Sequence, residues 1–162
     1  MAAPEPTEAA VLAAYAAVAA RRSQFDALLW QVPVLSLTAQ AFLFTIALSA
    51  GNDAWARILS SLLSINITVM SILLMGRHRQ AELHDAHWLE RVERDVLHLS
   101  ELGAHGSVFR NSRNRQALDA GSIGRLIPLK SMFPLWVMGL AFFGLGAFAV
   151  IIWTVVMLAS HH

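Results

Sequence analysis

A regular stripe of polar side chains runs along the apolar segment 54–76. Its members are Arg57, Ser61, Ser64, Thr68 and Ser71, which follow one another at steps of four, three, four and three residues. This spacing matches the period of an α-helix, so the five side chains share one helix face, which we call the hydroxyl stripe. Hydrocarbon offers no water to satisfy hydroxyl groups, and we therefore expect the stripe to face protein or a water-filled cavity.

The hydroxyl stripe has two interpretations that the residues leave open. Serine and threonine commonly join membrane helices, so the hydroxyls can be packing contacts between spans. Several copies arranged around an axis would instead place the hydroxyls along a hydrated path. Arg57, near the outer end of the segment, either reaches the lipid headgroups or rings the mouth of that path. The segment contains no acidic residue, which disfavours a proton relay or an ion pump.

Other polar side chains lie in the same apolar segments. Gln31, Thr38 and Thr45 share a face at heptad spacing, which we call the span-one face, whereas Gln40 lies on another face. We expect the span-one face and the hydroxyl stripe to face each other or a common axis. Asn66 lies off the stripe near the middle of its segment, where it either bonds across a helix interface or lines the path.

A basic stretch between the second and third apolar segments contains Arg110, Arg113 and Arg115. These arginines could hold a nucleotide phosphate, anionic lipid headgroups or a cytoplasmic protein, or they could reflect membrane topology alone. The chain has no glycine-rich phosphate loop that would favour the nucleotide. Nothing in the stretch predicts binding to nucleic acid.

Catalytic and metal-binding patterns are weak. The chain has no cysteine, which excludes thiol chemistry, and it shows no Ser/His/Asp set or paired-carboxylate pattern. A run of histidines and acids could form a metal site or a pH sensor, but salt-bridged, solvated helix surface is the favoured interpretation. Its members are His78, Glu82, His84, Asp85, His87, Glu90 and His98. We predict a protein that is not an enzyme and that has no cofactor or metal.

Composition places these residues in a membrane protein. The chain is 56% hydrophobic and 14% charged, whereas a soluble domain is about a quarter charged. Apolar segments at about 30–50, 54–76 and 132–158 each reach the roughly 20 residues that cross the bilayer core. We therefore predict an all-α integral membrane protein with three transmembrane helices.

The remaining residues complete a four-part organisation. We expect residues 1–29 to form a cytoplasmic amphipathic helix that Thr7 caps. Residues 30–76 are predicted to form a transmembrane hairpin, and residues 131–162 the third span and the C-terminal tail. Pro33 predicts a helix start or a kink. In segment 77–130 we expect the second helix to continue to about residue 101 and the basic loop to follow it. The spacing of four apolar residues in the helical part predicts packing in a cytoplasmic bundle; they are Leu89, Val92, Val96 and Leu99.

The distribution of basic residues predicts the orientation. Nine of the twelve lysines and arginines lie in segment 77–130, and Arg21 and Arg22 precede the first span. Because positive charge stays in the cytoplasm, the N-terminus and segment 77–130 are predicted inside and the C-terminus outside. We expect a multi-pass protein of the bacterial inner membrane.

These observations favour a small channel or pore built as a cyclic homo-oligomer, with the hydroxyl stripe along its axis and the cytoplasmic bundle for assembly or gating. The alternative is a non-conducting accessory or scaffold subunit of a larger membrane complex, in which the polar faces bond partner helices. A third hypothesis is a membrane-disrupting effector that a ligand at the basic loop controls.

Overall fold

Long helices dominate the structure. The computed structural model describes residues 7–49, 51–99, 102–106 and 132–160. In these ranges the long elements are α1 (Glu8–Leu48), α2 (Ala54–Asp95) and α3 (Met132–Ser160), and the ranges contain no strand. All three helices are long and apolar enough to cross a membrane. The prediction of a helical chain with three possible spans is confirmed for the part of the chain that the structure describes.

Helix α1 is longer than the sequence predicted. The Thr7 hydroxyl accepts a hydrogen bond from the backbone N–H of Ala10 at 3.3 Å, which confirms the predicted cap, and Glu8 favours the first turn. The helix then runs for 41 residues through Pro33. It therefore does not start at Pro33, and the N-terminal helix and the first span are one element of about 60 Å.

A short turn joins α1 to α2. The side-chain amide of Asn52 donates to the Ile46 carbonyl at 2.8 Å and so closes the end of α1. The Asp53 carbonyl accepts from the backbone N–H of Arg57 at 3.2 Å, which starts the hydrogen-bond ladder of α2. The turn thus supplies a side-chain donor to the end of α1 and the first acceptor to the start of α2.

Helix α2 continues through Gly76, as predicted, but it ends at Asp95 rather than near residue 101. The carbonyls of Val92 and Glu93 accept from the backbone N–H groups of Leu97 and Leu99 at 2.9 and 2.8 Å, which closes the helix with a wide turn. His98 adopts a φ of 51°, in the left-handed region. This turn stops the helix without proline.

The chain divides into two compact units. One, which we call the charged unit, contains residues up to Leu28 together with His78–Pro128. The other, the apolar unit, contains Leu29–Arg77 and the residues from Leu129 onward. Each unit has its own buried contacts.

The apolar unit packs three helical segments against one another. Leu29, Met75 and Leu140, one from each helix, form its hydrophobic cluster and are at most 5% exposed. Two turns after Leu140, Ala147 is also buried, as is Ala47. Small side chains at such positions allow membrane helices to approach closely.

In the charged unit, one side of α2 is buried. Ala86, Leu89 and Val92 are at most 7% exposed. Val96, which the a/d spacing had placed on the same stripe, is 51% exposed because it lies beyond the end of the helix. The buried stripe of α2 is therefore shorter than the sequence predicted.

Candidate functional site

The hydroxyl stripe meets a glutamine from α1 in the centre of the apolar unit. Gln40 is completely buried, and its amide nitrogen donates to the Ser64 carbonyl at 2.9 Å and to the Thr68 hydroxyl at 2.8 Å. The Ser64 hydroxyl donates in return to the amide oxygen of Gln40. An amide in an apolar interior needs such partners, so this network pins α1 to α2.

Helix α3 covers the same place. A Cβ added to Gly144 would come within 2.9 Å of the methyl group of Thr68, so the glycine permits this contact. Gly146 approaches Phe44 on α1 in a similar way, with 3.3 Å from an added Cβ to the ring. Gly144 therefore lets α3 lie directly against Thr68 of the polar network, and Gly146 lets α3 lie against Phe44.

The rest of the hydroxyl stripe is also buried within one chain. Ser61, Ser64, Thr68 and Ser71 are each at most 9% exposed. Arg57, at the end of the stripe next to the α1–α2 turn, is half-buried and donates to the Ser49 carbonyl at 3.1 Å. Arg57 also lines shallow grooves with Trp153 and Thr154. The structure thus brings all but the Arg57 end of the stripe into the helix interface.

The span-one face lies elsewhere. Gln31, Thr38 and Thr45 are exposed, and the two threonine hydroxyls donate to the carbonyls of their own helix, four residues back, at 3.0 and 2.9 Å. Asn66 is exposed as well. The structure therefore does not bring the span-one face to the hydroxyl stripe, and Gln40 takes that position instead.

The sequence placed Gln40 on a separate face of α1 but did not assign that face to the hydroxyl stripe, although a signal existed. The buried residues of α1 in this unit follow a three-four spacing, as do those of a helix seam. They are Leu29, Pro33, Ser36, Gln40, Leu43 and Ala47. The seam combines two leucines with small and polar side chains, whereas other large apolar residues of α1, such as Val34, Leu35 and Phe42, are exposed.

The charged unit contains arginine–carboxylate pairs. Arg21 binds both oxygens of Asp85, at 2.9 and 2.6 Å, and Arg22 binds Glu82 at 2.9 Å. Glu82 and Asp85 are 5% and 2% exposed, so they are buried acids rather than the solvated surface that the sequence favoured. The bond from Arg21 holds the pKa of Asp85 below its usual value.

Glu93 anchors a second polar cluster in this unit. Its carboxylate accepts from the Tyr15 hydroxyl at 2.6 Å, contacts Nδ1 of His105 at 2.6 Å, and accepts from the backbone N–H groups of Ala104 and His105. Burial alone would raise the pKa of Glu93, but these bonds outweigh it and lower the pKa. Burial and the bond to Glu93 raise the pKa of Tyr15 to about 12. The cluster ties segment 102–106 to both helices.

The structure does not describe the predicted basic loop, and it shows no metal site in the described part of the histidine-rich segment. Arg110, Arg113 and Arg115 lie outside the described residues. The described ranges contain no group of three histidines or acids that could hold a metal ion, and His84 and His87 are exposed. Two groups of buried, hydrogen-bonded polar side chains remain as candidate sites, one around Gln40 and one around Glu93.

Comparisons with protein-family models, with curated proteins and with solved structures gave no significant match to the chain. The function of the protein is therefore inferred from the geometry of the chain itself.

Proposed function

We propose that the protein is a non-conducting, non-enzymatic accessory or scaffold subunit of a membrane complex. The observation that carries this proposal is the burial of Ser61, Ser64 and Thr68 inside a single chain, where Gln40 bonds Ser64 and Thr68 and Gly144 lies against Thr68. The hydroxyls of Ser64 and Thr68 are bonded to the neighbouring helix, as in a packing contact, and the burial of Ser61 keeps the third hydroxyl away from an open path.

The exposed polar side chains support an interaction role. Gln31 and Asn66 present amide groups on the outer surface of the apolar unit. An amide in hydrocarbon without a partner is costly, so partner helices would stabilise these positions. The charged unit, which contains paired arginines and acids, would bind partner proteins outside the hydrocarbon.

A channel is the second candidate, and one observation favours it. The span-one face of Gln31, Thr38 and Thr45 is exposed along one side of α1. A ring of copies that turned these faces toward a common axis would be lined by polar side chains. In that arrangement the hydroxyl stripe remains a packing contact and α1, rather than α2, lines the axis.

We further propose an orientation in the bacterial inner membrane. The N-terminus and the segment after α2 would lie in the cytoplasm, since nine of the chain's twelve basic residues lie between residues 77 and 130. The arginines at 110, 113 and 115 would then face the cytoplasm, where anionic lipid headgroups or a partner protein could bind them.

Ion flux from proteoliposomes tests the proposed function. We expect vesicles that contain the purified protein to release potassium no faster than empty vesicles, because the described apolar unit has a packed polar seam. Vesicles with a channel-forming peptide serve as the positive control. Protein-dependent efflux that falls when Thr38 and Thr45 are both replaced by leucine would contradict the proposal and support the second candidate.

A further inference from the structure

The most exposed side of α2 in the apolar unit carries one polar residue. Leu59, Leu62, Asn66, Val69 and Leu73 follow steps of three, four, three and four, and we call them the Asn66 face. The four aliphatic members are between 48% and 60% exposed. This a/d spacing over two heptads is the pattern with which one helix packs lengthwise against another.

Asn66 lies at the middle depth of the span. It is about 18 Å from the start of α2 at Ala54 and about 15 Å from Gly76, at 1.5 Å per residue. Thr38, Thr45, Ser60 and Thr154 satisfy their hydroxyls on carbonyls of their own helices. No hydrogen bond within the described residues involves the Asn66 amide. The side chain therefore has no partner among the described residues, and an amide at this depth of the hydrocarbon needs one.

A second copy of the chain supplies the matching group. An amide has both a donor and an acceptor, so two asparagines can exchange hydrogen bonds across a two-fold axis. Copies that insert with the same orientation place their Asn66 residues at the same depth. A partner of another sequence would need a polar group at that depth, whereas a second copy has one by construction.

We propose that two copies form a parallel dimer through the Asn66 face, with the two Asn66 amides hydrogen-bonded to each other near the middle of the membrane. A single asparagine among apolar a/d residues fixes the register of such a pair. The dimer goes beyond the proposed function because it specifies a second copy as the partner and the Asn66 face as the contact surface. It is compatible with either candidate function. It differs from a ring around the hydroxyl stripe, which is buried.

Cross-linking in native membranes tests the dimer, and the cysteine-free chain allows single cysteines to be placed at will. We expect full-length Leu62→Cys and Val69→Cys variants to form disulfide-linked dimers on oxidation. Leu145→Cys is the matched control, because Leu145 is 68% exposed on α3 and lies off the Asn66 face. Equal dimer yield at Leu145, or cross-links to other proteins alone, would overturn the proposal.

Substitution of Asn66 separates the amide from the apolar face. We expect Asn66→Leu to weaken the dimer about five- to thirty-fold, as measured by energy transfer between labelled copies in liposomes at varied dilution. Asn66→Gln keeps the amide and should retain most of the association. Because Asn66 is exposed, both variants should keep the helical content of the parent. An unchanged dimerisation constant in Asn66→Leu would refute the role of the amide.

Discussion

Replacement of Glu93 by alanine is expected to lower the free energy of unfolding of the charged unit by about 3–5 kcal/mol. The carboxylate is buried and holds Tyr15, His105 and two backbone N–H groups. Its removal leaves those donors without their acceptor in a partly buried site. Hydrogen exchange of peptides from residues 8–28 and 78–95 measures this loss, and we expect protection to fall by a factor of about 150 to 4,000.

The neighbouring acid Asp95 provides the control. Asp95 pairs with Arg94, but both side chains are more than half exposed. Exposed pairs contribute little because water screens them, so Asp95→Ala should leave exchange nearly unchanged. A similar loss of protection in both variants, or none in Glu93→Ala, would show that the Glu93 cluster does not hold the unit together.

The second large effect is expected from Gly144→Leu in the apolar unit. A Cβ at this position already lies 2.9 Å from the methyl group of Thr68, and leucine adds three more carbons. Helices α2 and α3 must then separate, which costs about 1–3 kcal/mol or more and disturbs the hydrogen bond that Gln40 donates to Thr68. Tryptophan fluorescence during titration with a denaturing detergent should show unfolding at a lower detergent fraction, since Trp30 and Trp136 are in contact in this unit.

Gly139 is the matched control for that substitution. It lies on the same helix, and an added Cβ would meet nothing within 4 Å. Gly139→Leu should therefore unfold at the same detergent fraction as the parent. If Gly144→Leu is as stable as Gly139→Leu, then α3 does not lie against Thr68, and the packing of α3 on the hydroxyl stripe described above is wrong.

Long apolar runs made the helices of this chain predictable. A bilayer leaves backbone groups no partner except within a helix, so segments of about 20 apolar residues predict helical spans. The cap at Thr7 and the passage of α2 through Gly76 were also predictable, because local sequence decides them. The join between the N-terminal helix and the first span was not, since proline within a long helix can be accommodated as well as break it.

Rotation of the helices about their axes was harder to predict. Helix α1 carries polar side chains on two faces, at Thr38 and at Gln40, and periodicity alone ranks neither. The choice depends on fit: Gly144 and the hydroxyl stripe complement the buried seam of Gln40, whereas Thr38 and Thr45 can satisfy their hydroxyls within α1. A side chain that cannot satisfy itself locally is therefore the better predictor of a membrane interface.

The buried acids of the charged unit show the same limit. Glu82 and Asp85 lie among histidines and arginines in sequence, which is typical of a solvated helix surface. Their partners Arg21 and Arg22 are about 60 residues away, and only the fold brings them together. Long-range ion pairs of this kind have no local signal.

Accessibility of the hydroxyl stripe to water tests the central claim most directly. Ser64→Cys and Thr68→Cys are small changes in the cysteine-free chain, and Gly51→Cys, in the exposed turn, is the positive control. The variants in membranes are treated with a charged thiol reagent that does not enter hydrocarbon. We expect labelling at residue 51 and none at residues 64 and 68, because Gln40 and Gly144 cover them. Rapid labelling of either stripe position would mean that water reaches the seam, and the hydroxyl stripe would then be a path rather than a packing contact.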